Sequence, residues 1–253
     1  MMNSILLSGC NGKMGKFITN CVKQRDDCEI IAGIDISNKK NDSFDVFKSI
    51  DDFKKKADVI IDFSHPSTLE NLLKYAVSSN TPAVISTTGL SDVQIQDIKD
   101  ASKKVPIFFS ANMSLGVNLI RELAEKATKV LGSTFDIEIV EAHHNQKIDA
   151  PSGTALMLAN AISDQLPTPP TYEFDRHSKR AKREKREIGI HAIRGGTIVG
   201  EHEIIFAGHD EVIKISHSAM SREIFATGSI NAALFLCGKP AGLYSMSDLI
   251  DAE

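Results

Sequence analysis

Short apolar runs alternate with helical patterns through the first 110 residues, at a rhythm that few folds accommodate. Ser4–Ser8 (SILLS), Glu29–Asp35 (EIIAGID), Val59–Phe63 (VIIDF), Ala83–Ser86 and Ile107–Ser110 read as strands. Val59–Phe63 is almost unbroken in hydrophobes, which suits a strand covered on both faces. Lys13–Lys23 places Met14, Phe17, Ile18, Cys21 and Val22 on one helical face. Ser67–Ser79 does the same with Leu69, Leu72, Leu73, Ala76 and Val77, and Ser91–Lys103 reads as a third helix. Strands separated by helices pair in parallel through right-handed crossovers. The pattern predicts a doubly wound parallel α/β sheet, with ligands outside the carboxyl ends of its strands.

The rhythm breaks after residue 114. Leu115–Leu131 is a long amphipathic helix, Asp136–Ala142 (DIEIVEA) alternates like a half-buried strand, and Thr154–Leu166 is helical. Pro167–Pro170 is a breaker cluster. Three strands follow in succession between residues 188 and 218, with turns at Gly195-Gly196 and Gly208-His209, so antiparallel or mixed pairing replaces crossovers. Ser221–Cys237 returns to helix. Two domains are predicted: residues 1–114 with 224–253, and a smaller α+β domain with a mixed sheet over residues 115–223.

The first chemical signal is Gly9-Cys10-Asn11-Gly12-Lys13-Met14-Gly15, which follows a strand and opens a helix. Gly9 permits a tight turn, Gly12 removes a Cβ that would block a pyrophosphate, and Gly15 allows close packing of helix on strand. The helix N-terminus offers unpaired N–H groups to phosphates. Asp35 ends the second strand twenty residues beyond Gly15, where an acid accepts hydrogen bonds from ribose hydroxyls. Together these predict a Rossmann-type dinucleotide site. A carboxylate there repels a 2′-phosphate and favours NADH, while Lys39 and Lys40 just beyond could tolerate NADPH. Further polar loops follow successive strands: Asp62-Phe63-Ser64-His65-Pro66, Ser86-Thr87-Thr88-Gly89 and Ala111-Asn112-Met113-Ser114.

The densest run is Glu141–Ala155, EAHHNQKIDAPSGTA. Pro151 and Ser152 mark a helix start, at which Ser152, Gly153 and Thr154 present amide and hydroxyl donors to an anion, with the helix dipole behind them. Lys147 adds a full positive charge. His143 and His144 are adjacent, so on a continuing strand they point opposite ways; one can donate a proton while the other grips a carboxylate. A polar strand end is the plain alternative. A metal site is disfavoured, because adjacent histidines without a nearby carboxylate or cysteine make poor ligands.

Bulk properties narrow the class. The chain has 253 residues, 42% hydrophobic and 25% charged, an ordinary globular mix long enough for two cores, and a net charge of −4 argues against a general nucleic-acid binder. Cys10, Cys21, Cys28 and Cys237 form neither a C-x-x-C pair nor a zinc-finger spacing, so reduced thiols are predicted. Met1-Met2-Asn3-Ser4 opens no leader-like pattern, and no apolar run approaches the ~20 residues of a membrane span. A soluble cytoplasmic protein, with neither nucleic acid nor membrane as partner, is the expectation. The basic stretch Arg176–Glu187 is broken by Glu184 and reads as a solvated loop, with an RNA or acidic partner as the alternative.

Glu141–Ala155 resembles the dihydrodipicolinate reductase signature E-A-H-H-x-x-K-x-D-A-P-S-G-T-A throughout. The resemblance extends along the chain through Gly9–Gly15, Thr87–Gly89, Ala111–Ser114, Arg194–His202 (R-G-G-x-I-V-G-E-H) and Ser221–Ser229. It implies a Rossmann-type domain, a smaller substrate and oligomerisation domain, and a homotetramer. It implies NAD(P)H-dependent reduction of a cyclic dicarboxylated imine, derived from aspartate semialdehyde and pyruvate, in diaminopimelate and lysine biosynthesis. His143 resembles the catalytic acid and Lys147 the essential cation. His144, Ser152, Gly153, Thr154 and Thr88 resemble substrate contacts. Gly9, Asn11, Gly12, Lys13, Met14, Gly15, Asp35, Phe63, Thr87, Gly89, Ala111 and Met113 fall at cofactor positions, and no metal is implied. Two departures bear on the cofactor. Lys13 stands where many members carry Arg, and Ile36 and Ser37 follow Asp35 where an Arg often does. Other two-domain dehydrogenases, or a regulator that only binds NADH, remain the alternative classes.

Overall fold

A computed structural model describes residues 2–37 and 39–252; Met1 and Glu253, where the N-terminal reading and the outer domain bounds fall, lie outside them. The chain divides into two compact units, Met1–Leu115 with Arg222–Glu253, and Gly116–Ser221. The first alternates strand and helix as predicted: β1 (Asn3–Ser8), α1 (Lys13–Val22), β2 (Cys28–Ile34), β3 (Asp45–Phe47), β4 (Val59–Asp62), α2 (Leu69–Ser79), β5 (Ala83–Ile85), α3 (Asp92–Ser102) and β6 (Pro106–Phe109). Ser91 caps α3 through a reciprocal capping box with Gln94, as its position before the helical pattern suggests. The second unit holds most of α4 (Leu115–Leu131), then β7 (Asp136–His143), α5 (Gly153–Ser163), β8 (Thr171–Glu173), β9 (Glu187–Arg194), β10 (Gly200–Ala207) and β11 (Val212–Ala219). The chain then returns to the first unit with α6 (Glu223–Leu236), β12 (Gly242–Tyr244) and α7 (Met246–Ile250).

All seven strands of the first sheet pair in parallel, in the order β12-β6-β5-β4-β1-β2-β3. Strand order reverses between β1 and β4, so the loops after these two strands diverge and leave a crevice. Successive residues of a strand face opposite sides, and both sides are covered. Ile5 and Leu7 of β1 pack with Ile18 of α1 and with Ile230 and Leu236 of α6. Leu6 packs the other way, with Leu72 of α2 and Ile98 of α3. This two-sided burial is why the strands read as continuous hydrophobes.

The second sheet is mixed, in the order β11-β10-β7-β9-β8: β10 is antiparallel to both neighbours, while β7 and β8 run parallel to β9. One of its faces packs Ile137, Ile139, Ile188, Ile190, Ile204 and Phe206 against Leu158 and Ile162 of α5 and Ile120 of α4. The three-residue strands β3, β8 and β12 are too short to carry a periodicity, and the sequence pattern did not predict them.

The basic stretch is a largely exposed loop, as its sequence predicts, but three of its cations are anchored. Arg183 reaches the carboxylates of Glu138 (3.0 Å) and Asp136 (2.9 Å) and the carbonyl of Ile137 (3.0 Å), and its side chain is only 17% exposed. Arg176 pairs with Glu187 and Lys179 with Glu173. These three cations close on carboxylates of β7, β8 and β9, an arrangement that a count of basic residues does not reveal.

Helix α6 crosses the loop after β6 at close range. A Cβ built on Gly228 would lie 1.7 Å from the carbonyl oxygen of Met113, a backbone atom that cannot swing away. Gly228→Ala is expected to destabilise the protein by about 3 kcal/mol, the upper end of overpacking costs, which denaturant melts of the two proteins will measure.

Candidate active site

In the first unit, β1 delivers the chain into Gly9 at φ +79°, a left-handed conformation that favours glycine. A Cβ at Gly9 would meet the Phe63 carbonyl at 2.5 Å, and one at Gly15 would meet the Gly9 and Cys10 carbonyls at 2.4 Å. Gly15 therefore serves closeness of helix to its own loop. Gly12 is the N-cap of α1, which carries no side-chain cap, so the first-turn amides are available to an anion. Asp35 braces this loop. Its Oδ2 accepts the Asn11 amide (2.9 Å), and its Oδ1 accepts the Ser37 amide (2.8 Å) and hydroxyl (2.6 Å). The Asn11 side chain is spent on fastening the segment after β2, donating to the carbonyls of Ser37 (3.2 Å) and Lys39 (3.1 Å).

A cleft of about 490 Å³ opens here, lined by Gly9, Gly12, Asp35, Ile36, Lys48 and Phe63 among others. At its margin Asp62, 1% exposed, accepts the hydroxyls of Ser64 and Thr87, each at 2.5 Å. Burial raises the Asp62 pKa above its usual value even though these hydroxyls oppose the shift. Thr88, Gly89 (φ +75°), Ala111 and Lys13 are exposed. Met113 is 2% exposed, a core side chain whose carbonyl receives α6, so the structure does not place it on the surface.

In the second unit, β7 positions the polar cluster. Alternate residues Ile137, Ile139, Glu141 and His143 share a face, and the apolar layer gives way to charge at the strand's carboxyl end. Glu141 is fully buried and carries four contacts. Oε1 accepts the Arg194 Nη2 (2.7 Å) and the Ser152 amide (3.0 Å); Oε2 accepts the Arg194 Nη1 (2.8 Å) and meets His143 Nδ1 at 2.6 Å. Burial works to raise the Glu141 pKa, but the bonds from Arg194, His143 and Ser152 outweigh it and hold the carboxyl below its ordinary value. An ionised carboxylate only accepts, so His143 carries a proton on Nδ1 and turns Nε2 outward from the pair.

His202, directly opposite Glu141 in the β7–β10 register, is 5% exposed. Its Nε2 lies 3.0 Å from the Ser152 hydroxyl, and its ring meets that of His143 edge-on with centroids 5.3 Å apart. Burial, helped by the neighbouring His143, pushes its pKa down to about 4. Ser152 also caps α5 by accepting the Ala155 amide (3.1 Å). It is 2% exposed, so the hydroxyl predicted to touch substrate is committed to the interior. Gly153 is exposed at the helix start, and Lys147, its side chain 21% exposed, pairs with Asp149 at 2.8 Å. His144 is half-buried, and no hydrogen bond of its ring is recorded among the described residues. Among those residues no group of three or more His, Cys, Asp or Glu is disposed to hold a metal. Glu141, Arg194, Gly200, His202 and Asp62 stand in the quoted sequence runs, yet sequence reasoning gave them no role. The alternation that puts Glu141 and His143 on one face is the signal that could have found the first of them.

The family model described as dihydrodipicolinate reductase, N-terminus, matches residues 3–113, and the one described as dihydrodipicolinate reductase, C-terminus, matches residues 116–250. The 4-hydroxy-tetrahydrodipicolinate reductase of Caldanaerobacter subterraneus subsp. tengcongensis is 52% identical over 250 residues, covering 99% of each chain. The chain belongs to the dihydrodipicolinate reductase family. A second relative of this reductase, the enzyme of the same name from Clostridium tetani, is 50% identical over 252 residues, covering 100% of this chain and 98% of the other. Among solved structures, the dipicolinate-bound dihydrodipicolinate reductase from Paenisporosarcina sp. TG-14 superposes with a TM-score of 0.80 at 25% identity, covering 97% and 98% of the two chains. The protein is thus an NAD(P)H-dependent oxidoreductase with a Rossmann-like parallel sheet and a second, mixed sheet. No helix among the described residues is long and apolar enough to cross a membrane.

The buried His202 makes the reductase sensitive to mild acid. Its ordinary value is 6.5 and its folded value about 4, so the unfolded chain takes up the proton first as pH falls. Stability is therefore lost between those two pH values, by about 3 kcal/mol in all. His202→Gln is expected to flatten this part of the stability–pH curve, measured as urea midpoints across the range.

Proposed function

We propose that the chain reduces 4-hydroxy-tetrahydrodipicolinate to tetrahydrodipicolinate with NADH or NADPH, in the diaminopimelate route to lysine. The observation that carries this reading is the cluster at the end of β7: a buried, ionised Glu141 holding His143 by Nδ1, with Lys147 and the start of α5 close by in sequence and structure. In this reading residues 1–114 with 224–253 bind the dinucleotide, and residues 115–223 bind substrate and carry the homotetramer contacts. The protein works in the cytoplasm, without nucleic-acid or membrane partners.

The first unit suits the cofactor. Gly9, Gly12 and Gly15 carry no Cβ at the loop's close approaches, the α1 amides lack a side-chain cap, and the Asp35 carboxylate borders the cleft. Gly9, Gly12, Lys13 and Met14 would hold the pyrophosphate and Asp35 the ribose hydroxyls. Phe63, Thr87, Gly89 and Ala111 would line the remainder, while Asn11, Gly15 and Met113 support the loops. Bound there, reduced nicotinamide supplies a hydride. Asp35 repels a 2′-phosphate, whereas Lys39, Lys40 and Lys48 offer positive charge nearby, which supports use of both cofactors with NADH favoured.

The substrate carries two carboxylates. One takes the place of Asp149 on Lys147; the Gly153 and Thr154 amides receive an anion at the positive end of α5, with His144 as a further contact. His143 delivers the proton from Nε2 to the carbon beside the reduced centre, help typically worth ~10²–10⁴ in rate.

Lys147→Ala is expected to raise the KM for the imine about 100-fold, the cost of removing one partner of a close charge pair, while NADH titrates as in the parent protein. Near-normal KM would sink the clamp. A Cβ at Gly200 would stand 3.1 Å from His143 Nε2. Gly200→Ala should therefore displace the ring and lower kcat about tenfold without changing NADH affinity, in the same assay.

A further inference from the structure

We propose that Glu141, clamped by Arg194, is the positioning residue that fixes the His143 ring and stabilises its charged form, so that the transferable proton sits at Nε2. The proposal rests on His143 being the acid.

The position of Glu141 needs an explanation that packing does not give. It follows Ile137 and Ile139 on the face that packs against α5, where an apolar side chain would continue the layer. A buried carboxylate costs several kcal/mol in desolvation unless its partners are well placed, and a hydrophobic replacement is often no less stable. Here all four contacts are made, two to each oxygen, and three come from rigid elements: the Arg194 fork from β9 and the Ser152 amide from the start of α5. The carboxylate can neither rotate nor turn to another donor, so the fourth contact, at 2.6 Å, sets the plane of the imidazole.

The surroundings are consistent with a ring that gains and loses a proton at Nε2. Gly200 keeps that side clear, since any Cβ there would press on it. The groups that act on this cluster are Glu141 on its own strand, Arg194 from β9, His202 from β10, His217 beyond it on β11, and Lys147 and Asp149 from the following loop. Of these Glu141 alone touches the ring through a charge of opposite sign. During the reaction the N–H bond at Nε2 breaks and a C–H bond forms on the substrate. The electron pair stays on Nε2, Nδ1–H remains donated to Glu141, and solvent returns a proton to Nε2. Glu141 takes no proton, because Arg194, His143 and the Ser152 amide together hold it ionised.

Four variants, read through the kcat–pH profile and the ring NMR, test this. Glu141→Gln leaves Arg194 uncompensated beside the ring, so the alkaline limb of the kcat profile should move to lower pH. Turnover above neutrality should fall about 10²-fold, while NADH affinity stays the same. Arg194→Met leaves the carboxylate unopposed and should move the limb the opposite way; Arg194→Lys should lie between Arg194→Met and the parent. Nitrogen-detected NMR of the His143 ring should show the Nδ1–H tautomer of the neutral form in the parent and a mixture in Glu141→Gln. A residue that only supports the fold would lower activity without opposite shifts. Unmoved limbs with an unchanged tautomer overturn the proposal. Should Glu141→Gln not fold, an unmoved limb in Arg194→Met overturns it alone. His143→Gln separates the two layers: near-parent turnover there removes the acid reading itself, whereas an inactive His143→Gln beside unmoved limbs removes only the role of Glu141.

Discussion

A carboxylate without solvent contact stands where the apolar face of the mixed sheet ends, and the surrounding residues are arranged to satisfy it. Glu141 requires a bidentate cation, and Arg194 arrives at the matching end of β9 because β7 and β9 run parallel in register, with His143 beside Arg194. It requires a further donor, and the amide of Ser152 supplies one where α5 begins. Once these partners are in place, His143 has a single well-defined acceptor for Nδ1. The cluster concentrates desolvated charge, and such charge contributes orientation more reliably than stability.

The first unit solves a different problem, that of bringing backbone close to backbone. Its means are absences. Glycine carbonyl meets helix at Gly15, loop meets loop at Gly9, and α6 meets the loop after β6 at Gly228, in each case at distances that exclude a side chain. Asp35 turns this proximity into a fixed shape by taking the Asn11 amide on one oxygen and Ser37 on the other. A single carboxylate thus fastens the glycine loop and the segment after β2 together, so a change at Asp35 disturbs both.

Much of this was legible beforehand. Hydrophobic periodicity is a local property, and it located the long helices and the buried strands to within a few residues. The glycine spacing reported the loop, because backbone conformation restricts residue type there. The three short strands were not legible, since three residues carry no period and are held by neighbours distant in sequence. Side-chain partnerships were harder still. Ser152 reads as an exposed helix start, yet His202, fifty positions on, draws its hydroxyl inward. Arg183 reads as one cation in a basic run, yet it closes on Glu138, across a separation of 45 residues. Pairings of this kind depend on sheet register, which composition does not encode.

Register also explains why two separate stretches, Glu141–Ala155 and Arg194–His202, behave as one device. The turn after β9 donates from the Gly195 amide to the His143 carbonyl, and the Gly196 carbonyl accepts the Asn145 amide. Arg194 reaches on to the Asp149 carbonyl with the same nitrogen that holds Glu141. The loop bearing Lys147 is thus tied at three points to the end of β9, and Gly200 at the start of β10 keeps space for the ring of His143. A one-residue slip of β7 would turn Glu141 and His143 to the opposite face, and a slip of β9 would turn Arg194; either would leave Arg194 without its carboxylate. The two stretches are therefore constrained jointly: the first supplies Glu141, His143 and Lys147, and the second supplies the cation, the turn and the empty space that hold them in place.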